Sequence, residues 1–214
     1  MEIKYLGHAS FYLKGKSASL VTDPYEDSIG LKFPKVQADI VTVSHSHSDH
    51  NNANAVSDVK KVVEGPGEYE IQGISIVGFP TFHDDKKGTL RGKNTIYTIE
   101  MDNLRIVHLG DLGHPLKEKQ FEELGEVDIL MIPVGGFYTI NFEQAVELVR
   151  SVESVVTIPM HYKTPMHSET FKDLTGVDEF VNALGLPVEK SDKYTVTKDT
   201  LGELQKVVVL EPKN

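Results

Sequence analysis

The chain has 214 residues, a formal net charge of −10 and no cysteine. That length suits one sizeable core, and the missing thiol excludes disulfides, thiolate catalysis and cysteine-based zinc sites, so any metal must be held by imidazole and carboxylate. A surface this acidic repels polyanions, which counts against nucleic acid as a partner, and no apolar run approaches the ~20 residues of a membrane span.

The N-terminal Met1-Glu2-Ile3-Lys4-Tyr5-Leu6 has no basic segment followed by an apolar one. It reads as a first strand rather than a signal peptide, and a cytoplasmic location is expected. Short β-like runs follow at 3–6, 10–13 and 18–22, with Lys14-Gly15-Lys16 as a turn and Asp23-Pro24 ending the hairpin. The run Asp39-Ile40-Val41-Thr42-Val43 suggests a buried strand that delivers the chain into Ser44-His45-Ser46-His47-Ser48-Asp49-His50. Further strands are predicted at 61–63, 69–71, 74–79, 127–132, 155–158 and 207–210. A hairpin of 95–100 and 104–109 turns at Met101-Asp102-Asn103. Helices are predicted at 115–124, where proline opens and Gly125 closes the segment, and at 141–151, where Asn141 and Gln144 resemble a capping box. A third helix is expected at 177–184, ending at Gly185. The segments 11–23 and 95–111 echo each other: each is a hairpin and an apolar strand ending in aspartate. Two packed β-rich halves with helices outside them are therefore expected, in one domain spanning 1–214.

His45-x-His47-x-Asp49-His50 carries the strongest chemical signal. Histidines at i and i+2 of an extended segment point to one side and can chelate one metal. Asp49 and His50 then face a second position. Neutral imidazole and carboxylate suit zinc, manganese or iron.

With these residues in view, the chain resembles the metallo-β-lactamase superfamily, whose signature is H-x-H-x-D-H. The likeness extends to Leu6-Gly7-His8-Ala9-Ser10-Phe11, Thr22-Asp23-Pro24, Leu109-Gly110-Asp111 and Ile158-Pro159-Met160-His161-Tyr162. The G-H-A opening and P-x-H-Y ending are most similar to the branch that includes ascorbate-6-phosphate lactonase. The resemblance implies an α/β fold, the four-layer αββα sandwich. It also implies two divalent ions, zinc first and manganese second. One ion would take His45, His47 and a third histidine, for which His83 is chosen because it follows an apolar strand. The other would take Asp49, His50 and His161, with Asp111 bridging.

The activity implied is hydrolysis of a small-molecule lactone, ester or phosphodiester by a metal-bridging hydroxide. Asp111 would position the nucleophile and Asp49 would accept or relay its proton. His8 would face substrate or support the ligands. Asp23 would orient the metal loop through hydrogen bonds. A nuclease and a metal-binding, non-hydrolytic homologue are the alternatives, and a homo-oligomer is left open. Of the remaining candidates, His108 is expected to be a core histidine bonded to a backbone carbonyl. His114 is a candidate for the pocket rim. His167 has only its proximity to His161. Tyr162 is expected to pack, and Lys163 to be solvated.

Overall fold

The computed structural model describes residues 1–212, so the expected domain span of 1–214 includes two positions outside them. In chain order the strands and α-helices are β1 (Glu2–Gly7), β2 (Ser10–Lys14), β3 (Ser19–Thr22), β4 (Val36–Gln37), β5 (Ile40–Val43), β6 (Val56–Ser57), β7 (Lys61–Glu64), β8 (Gly67–Ile71), β9 (Ile74–Phe82), β10 (Lys93–Met101), β11 (Leu104–His108), α1 (Glu118–Leu124), β12 (Ile129–Pro133), α2 (Phe142–Val152), β13 (Val156–Met160), α3 (Val177–Leu184), β14 (Val188–Ser191), β15 (Tyr194–Thr195) and β16 (Lys206–Leu210). A six-stranded sheet runs β15-β1-β2-β3-β5-β7, and an eight-stranded sheet runs β14-β16-β13-β12-β11-β10-β9-β8. The echoed segments are the β2–β3 and β10–β11 hairpins, one inside each sheet.

Period-two alternation decides which side chains meet between the sheets. On the six-stranded sheet Tyr5, Phe11, Leu13, Leu20, Ile40 and Val63 join the main core, while Leu6, Val21, Val41 and Val43 form a second cluster on the other face. Two polar side chains tie the sheets together. The Tyr97 hydroxyl donates to the Val43 carbonyl at 2.8 Å, and His108 Nε2 donates to the Ala9 carbonyl at 2.8 Å. His108 is thus the core histidine its apolar strand suggested.

The architecture is the layered α/β sandwich expected. Helices α1 and α2 fill the crossovers between the parallel strands β11, β12 and β13, and α2 packs on β12 and α3. Outside the six-stranded sheet the covering layer is reduced to Phe33, Val36, Ala38, Ala53, Val56 and Val59, around the short β4–β6 ladder. Helix α2 starts as predicted: Asn141 Oδ1 accepts from the Gln144 N–H at 2.9 Å, and Gln144 Oε1 accepts from the Asn141 N–H at 3.1 Å. Helix α1 starts three residues later than the proline suggested, because Gln120 Oε1 caps the Lys117 N–H. The short pairings β4, β6, β14 and β15 are additions. Their residues are few or polar, and β14 is an exposed edge with no apolar alternation to betray it. No helix among the described residues is long and apolar enough to cross a membrane.

Candidate metal centre

Five strand ends converge at one edge of the sandwich. Asp23 follows β3, the 45–50 segment follows β5, His83 follows β9, Asp111 follows β11 and His161 follows β13. Strands β9 and β11 both run antiparallel to β10, and β13 runs parallel to β11 through β12, so their C-terminal ends share a side. The turns that leave these strands bend sharply. His8, Asp23 and His161 adopt positive φ of 56°, 39° and 52°, a region that few non-glycine residues occupy and that Asp and His enter more readily than most. Two glycines admit close approach. A Cβ on Gly110 would come within 2.4 Å of Asn94 Oδ1, and one on Gly113 within 2.2 Å of the His83 carbonyl carbon.

All eight predicted residues meet here. His45, His47 and His83 form one group, and His8, Asp49, His50 and His161 form another, the ligand atoms within each group lying no more than 4.8 Å apart. Asp111 stands between them. Its Oδ2 is 3.0 Å from His83 Nε2, 3.2 Å from His50 Nε2, 3.3 Å from His161 Nε2 and 3.9 Å from His45 Nε2. These approaches lack hydrogen-bond alignment: His50 Nε2, His161 Nε2 and Asp111 Oδ1 are buried without a partner among the described residues. Buried polar atoms are rarely left so. Convergent orphaned nitrogens around an orphaned carboxylate oxygen are what divalent cations would satisfy, so the donor set fits the two ions the motif implies.

The electrostatics agree. Burial pushes Asp111 up, but His161, His50 and His83 outweigh it and hold it well below the usual carboxylate range. Burial likewise raises Asp49, and His50 and His8 outweigh it and keep it ionised. Burial, with His50 beside it, pushes His45 down to about 3, and burial lowers His47. His50 goes the other way. Burial disfavours its charge, but Asp111 and Asp49 raise it well above the ordinary histidine value. Three carboxylates, Asp23, Asp49 and Asp111, thus face one imidazole, which retains a proton where a cation would sit.

The supporting contacts are equally specific. Asp23 accepts from the Ser44 N–H at 2.8 Å, the Ser44 hydroxyl at 2.5 Å and His50 Nδ1–H at 2.9 Å, turning His50 Nε2 toward Asp111. The Asp111 N–H donates to Asn94 Oδ1 at 2.9 Å. Thr164 N–H donates to His167 Nδ1 at 3.1 Å, so neutral His167 carries its proton on Nε2, which faces His8 Nδ1 at 3.4 Å. His8 then holds its own proton on Nε2 and donates to Asp49 Oδ2 at 3.1 Å. Both rings stay neutral: burial and His161 push His8 down to about 3 and His167 to about 4. His8 is therefore the buried orienting partner of Asp49.

A cavity of about 230 Å³ opens onto the cluster, lined by His47, Asp49, His83, Arg91, Asp111, Tyr138, Thr170 and Phe171. His114 lies elsewhere. It accepts from the Phe82 N–H and faces a neighbouring groove with Pro80 and Lys117. Tyr162 is packed near Tyr5, as expected, and neither it nor Lys163 lines this cavity. Asn94, Arg91, Tyr138 and Phe171 went unmarked, since nothing in their local pattern sets them apart. His167 has only its nearness to His161 to mark it in the sequence.

The sequence matches the Beta-lactamase superfamily domain over residues 2–161. A UPF0173 metal-dependent hydrolase of Pyrococcus horikoshii is 30% identical over 209 residues, covering 82% of this chain and 92% of that protein. A second, from Archaeoglobus fulgidus, is 30% identical over 220 residues, covering 88% and 94%. The crystal structure of a candidate Zn-dependent hydrolase of the metallo-beta-lactamase superfamily from Thermotoga maritima is 36% identical, with a TM-score of 0.81 and 99% of each chain covered. With the strand-end histidines and aspartates now placed, the chain belongs to the metallo-β-lactamase superfamily and, within it, to the UPF0173 metal-dependent hydrolases.

Proposed function

We propose that the protein is a dinuclear metal hydrolase acting on a small-molecule lactone, ester or phosphodiester. One observation carries the reading: the Asp111 carboxylate lies between two histidine groups with Oδ1 unpartnered. His45, His47 and His83 would hold one divalent ion, and Asp49, His50 and His161 the other, with Asp111 shared. Zinc is the first choice for this all-nitrogen-and-oxygen donor set and manganese the second. When bound, such ions acidify water near neutral pH and stabilise negative charge developing on a substrate oxygen.

The protein's own residues do the rest. Asp111 fixes the spacing of the two positions and offsets their charge. Asp49 stays ionised and, with one oxygen held by His8, offers the other as an acceptor that orients the attacking water. Its depressed pKa makes it a poor final resting place for a proton, so orientation is its main part. Tyr138 and Phe171 give the cavity an aromatic wall. The opening Gly7-His8-Ala9 and the ending Pro159-Met160-His161-Tyr162 favour a lactone as the first substrate class to try. The net charge of −10 disfavours a nuclease.

The test is a panel of lactones, cyclic and linear phosphodiesters, thioesters and RNA on metal-reconstituted protein. Turnover of a small ester, lactone or phosphodiester that chelation abolishes and zinc or manganese restores is expected. Cleavage of RNA alone would move the assignment to a nuclease, and no metal-dependent turnover of any class would remove the hydrolytic reading.

A further inference from the structure

The chain has three arginines. Arg105 pairs with Glu100 and donates to the Leu124 carbonyl, and Arg150 is exposed in the last turn of α2. Arg91 is different: half-buried, it is the sole cation lining the cavity over the metal ligands. It has no ion pair among the described residues. The guanidinium carbon lies 5.4 Å from the centre of the Tyr138 ring, within cation–π reach, and its N–H groups donate to no acceptor among the described residues.

Its position is built. Asp84, directly after the ligand His83, spends both carboxylate oxygens on backbone N–H groups: Lys86 and Gly88 on Oδ1, Leu90 and Arg91 on Oδ2, at 2.7–3.0 Å. The His83 N–H donates to the Gly92 carbonyl at 3.1 Å. The 84–92 loop is thereby closed on itself and tied to His83, so Arg91 has a fixed relation to the metal centre. Asp84 accepts from these four backbone donors and makes no ion pair with the Arg91 guanidinium. On the other side Tyr138 is anchored by its hydroxyl to the Thr170 carbonyl at 2.8 Å and packs against Phe171. An unpaired, preorganised guanidinium in an otherwise acidic protein awaits an anion.

We propose that Arg91 is an oxyanion anchor: the substrate of the hydrolytic site carries a carboxylate or phosphate group apart from its scissile bond, and Arg91 binds that group across the cavity. This rests on the hydrolase reading for the word substrate, but anion capture by Arg91 does not. The experiment therefore has two arms. In the first, the Nε–Hε signals of the three arginines are followed by NMR in the zinc-reconstituted full chain during titration with methylphosphonate, then acetate, then the neutral dimethyl methylphosphonate. Arg91 should shift and saturate with at least one anion and not with the neutral ester, while Arg105 and Arg150 stay still. Arg91→Met should weaken that anion's binding by about tenfold or more, with Arg91→Lys in between. Anion binding that leaves the Arg91 signal unmoved, a weak parallel drift of all three signals, or equal affinities in wild type and Arg91→Met would each overturn the proposal. In the second arm, two esters share a scissile bond and differ only in a remote carboxylate or its neutral amide. Arg91→Met should lower the kcat/KM ratio of acid to amide by about tenfold, and an unchanged ratio overturns the anchor. If the full panel of lactones, esters and phosphodiesters shows no metal-dependent turnover, the hydrolase reading fails while the first arm still decides the anion site.

Discussion

The two halves of the metal centre differ in depth. His8, His50 and His161 are buried and Asp49 is only partly open; on the other side His45 and His83 are also buried, but His47 is exposed. The buried half has the denser support. Asp23 holds His50, His167 and His8 hold Asp49, and the His161 N–H donates to the His8 carbonyl at 2.7 Å. In the other half the rings of His47 and His83 take no hydrogen bond from outside the ligand set among the described residues, and support comes from the Ser44 hydroxyl against His45 Nδ1 at 2.9 Å and from the His83 N–H on the Gly92 carbonyl. Preorganised ligands lose less freedom on binding an ion, and burial slows its escape. One position should therefore bind tightly and exchange slowly, while the other exchanges quickly and faces substrate.

Asp111 belongs to both halves, so its loss should have the largest effect. Asp111→Asn keeps the shape and removes the charge. Turnover should fall on the order of 10²-fold or more, and neither ion should be held normally, while the metal-free protein still folds. A variant that keeps both ions and near-normal turnover would remove the bridge. Next come the selective losses. His161→Ala should cost the slowly exchanging ion and His47→Ala the quickly exchanging one, read by elemental analysis and by the rate of metal transfer to a chelator. Identical exchange behaviour in the two variants would erase the contrast between the halves. Asp23→Asn touches no ion, yet it should weaken metal affinity by roughly 10–100-fold, chiefly at the buried position; zinc titration checks this.

The pH response sharpens the same contrast. His50 is raised above the ordinary histidine value by Asp111 and Asp49, against the opposing effect of burial. In the metal-free protein its charge stabilises the fold below the ordinary value, and that contribution is lost as pH rises through the raised one. Metal binding must expel this proton, so affinity should rise by about tenfold per pH unit over that window. Asp49 and Asp111 are ionised throughout and add nothing to the trend. The Tm gap between loaded and metal-free protein should thus widen with pH, and a gap that narrows would contradict the charge balance given to His50. The smallest effect is expected from His167→Phe, which removes the donor to His8 and should lower metal affinity by less than about tenfold.

Much of this centre was legible because its signals are local. The 45–50 segment packs its ligands into six residues directly after an apolar strand, and Asn141 and Gln144 announce a helix start within three. Asp111, His83 and His161 were legible as polar residues just past strand ends, once the family resemblance assigned them partners. What escaped depends on pairs distant in sequence. His8 and His167 are 159 residues apart, and no periodicity marks a hydrogen bond between them. Arg91 sits in a loop whose shape is set by Asp84 accepting four backbone N–H bonds, a pattern visible only when folded. The edge strand β14 escaped because it buries almost nothing.

The central claim, that Asp111 joins two ion positions, is tested most directly by metal stoichiometry. Metal-free protein dialysed to equilibrium against excess zinc at neutral pH, then analysed for zinc per chain, should saturate at two, with one ion leaving to a chelator much faster than the other. Saturation at one ion, or at none, would contradict it.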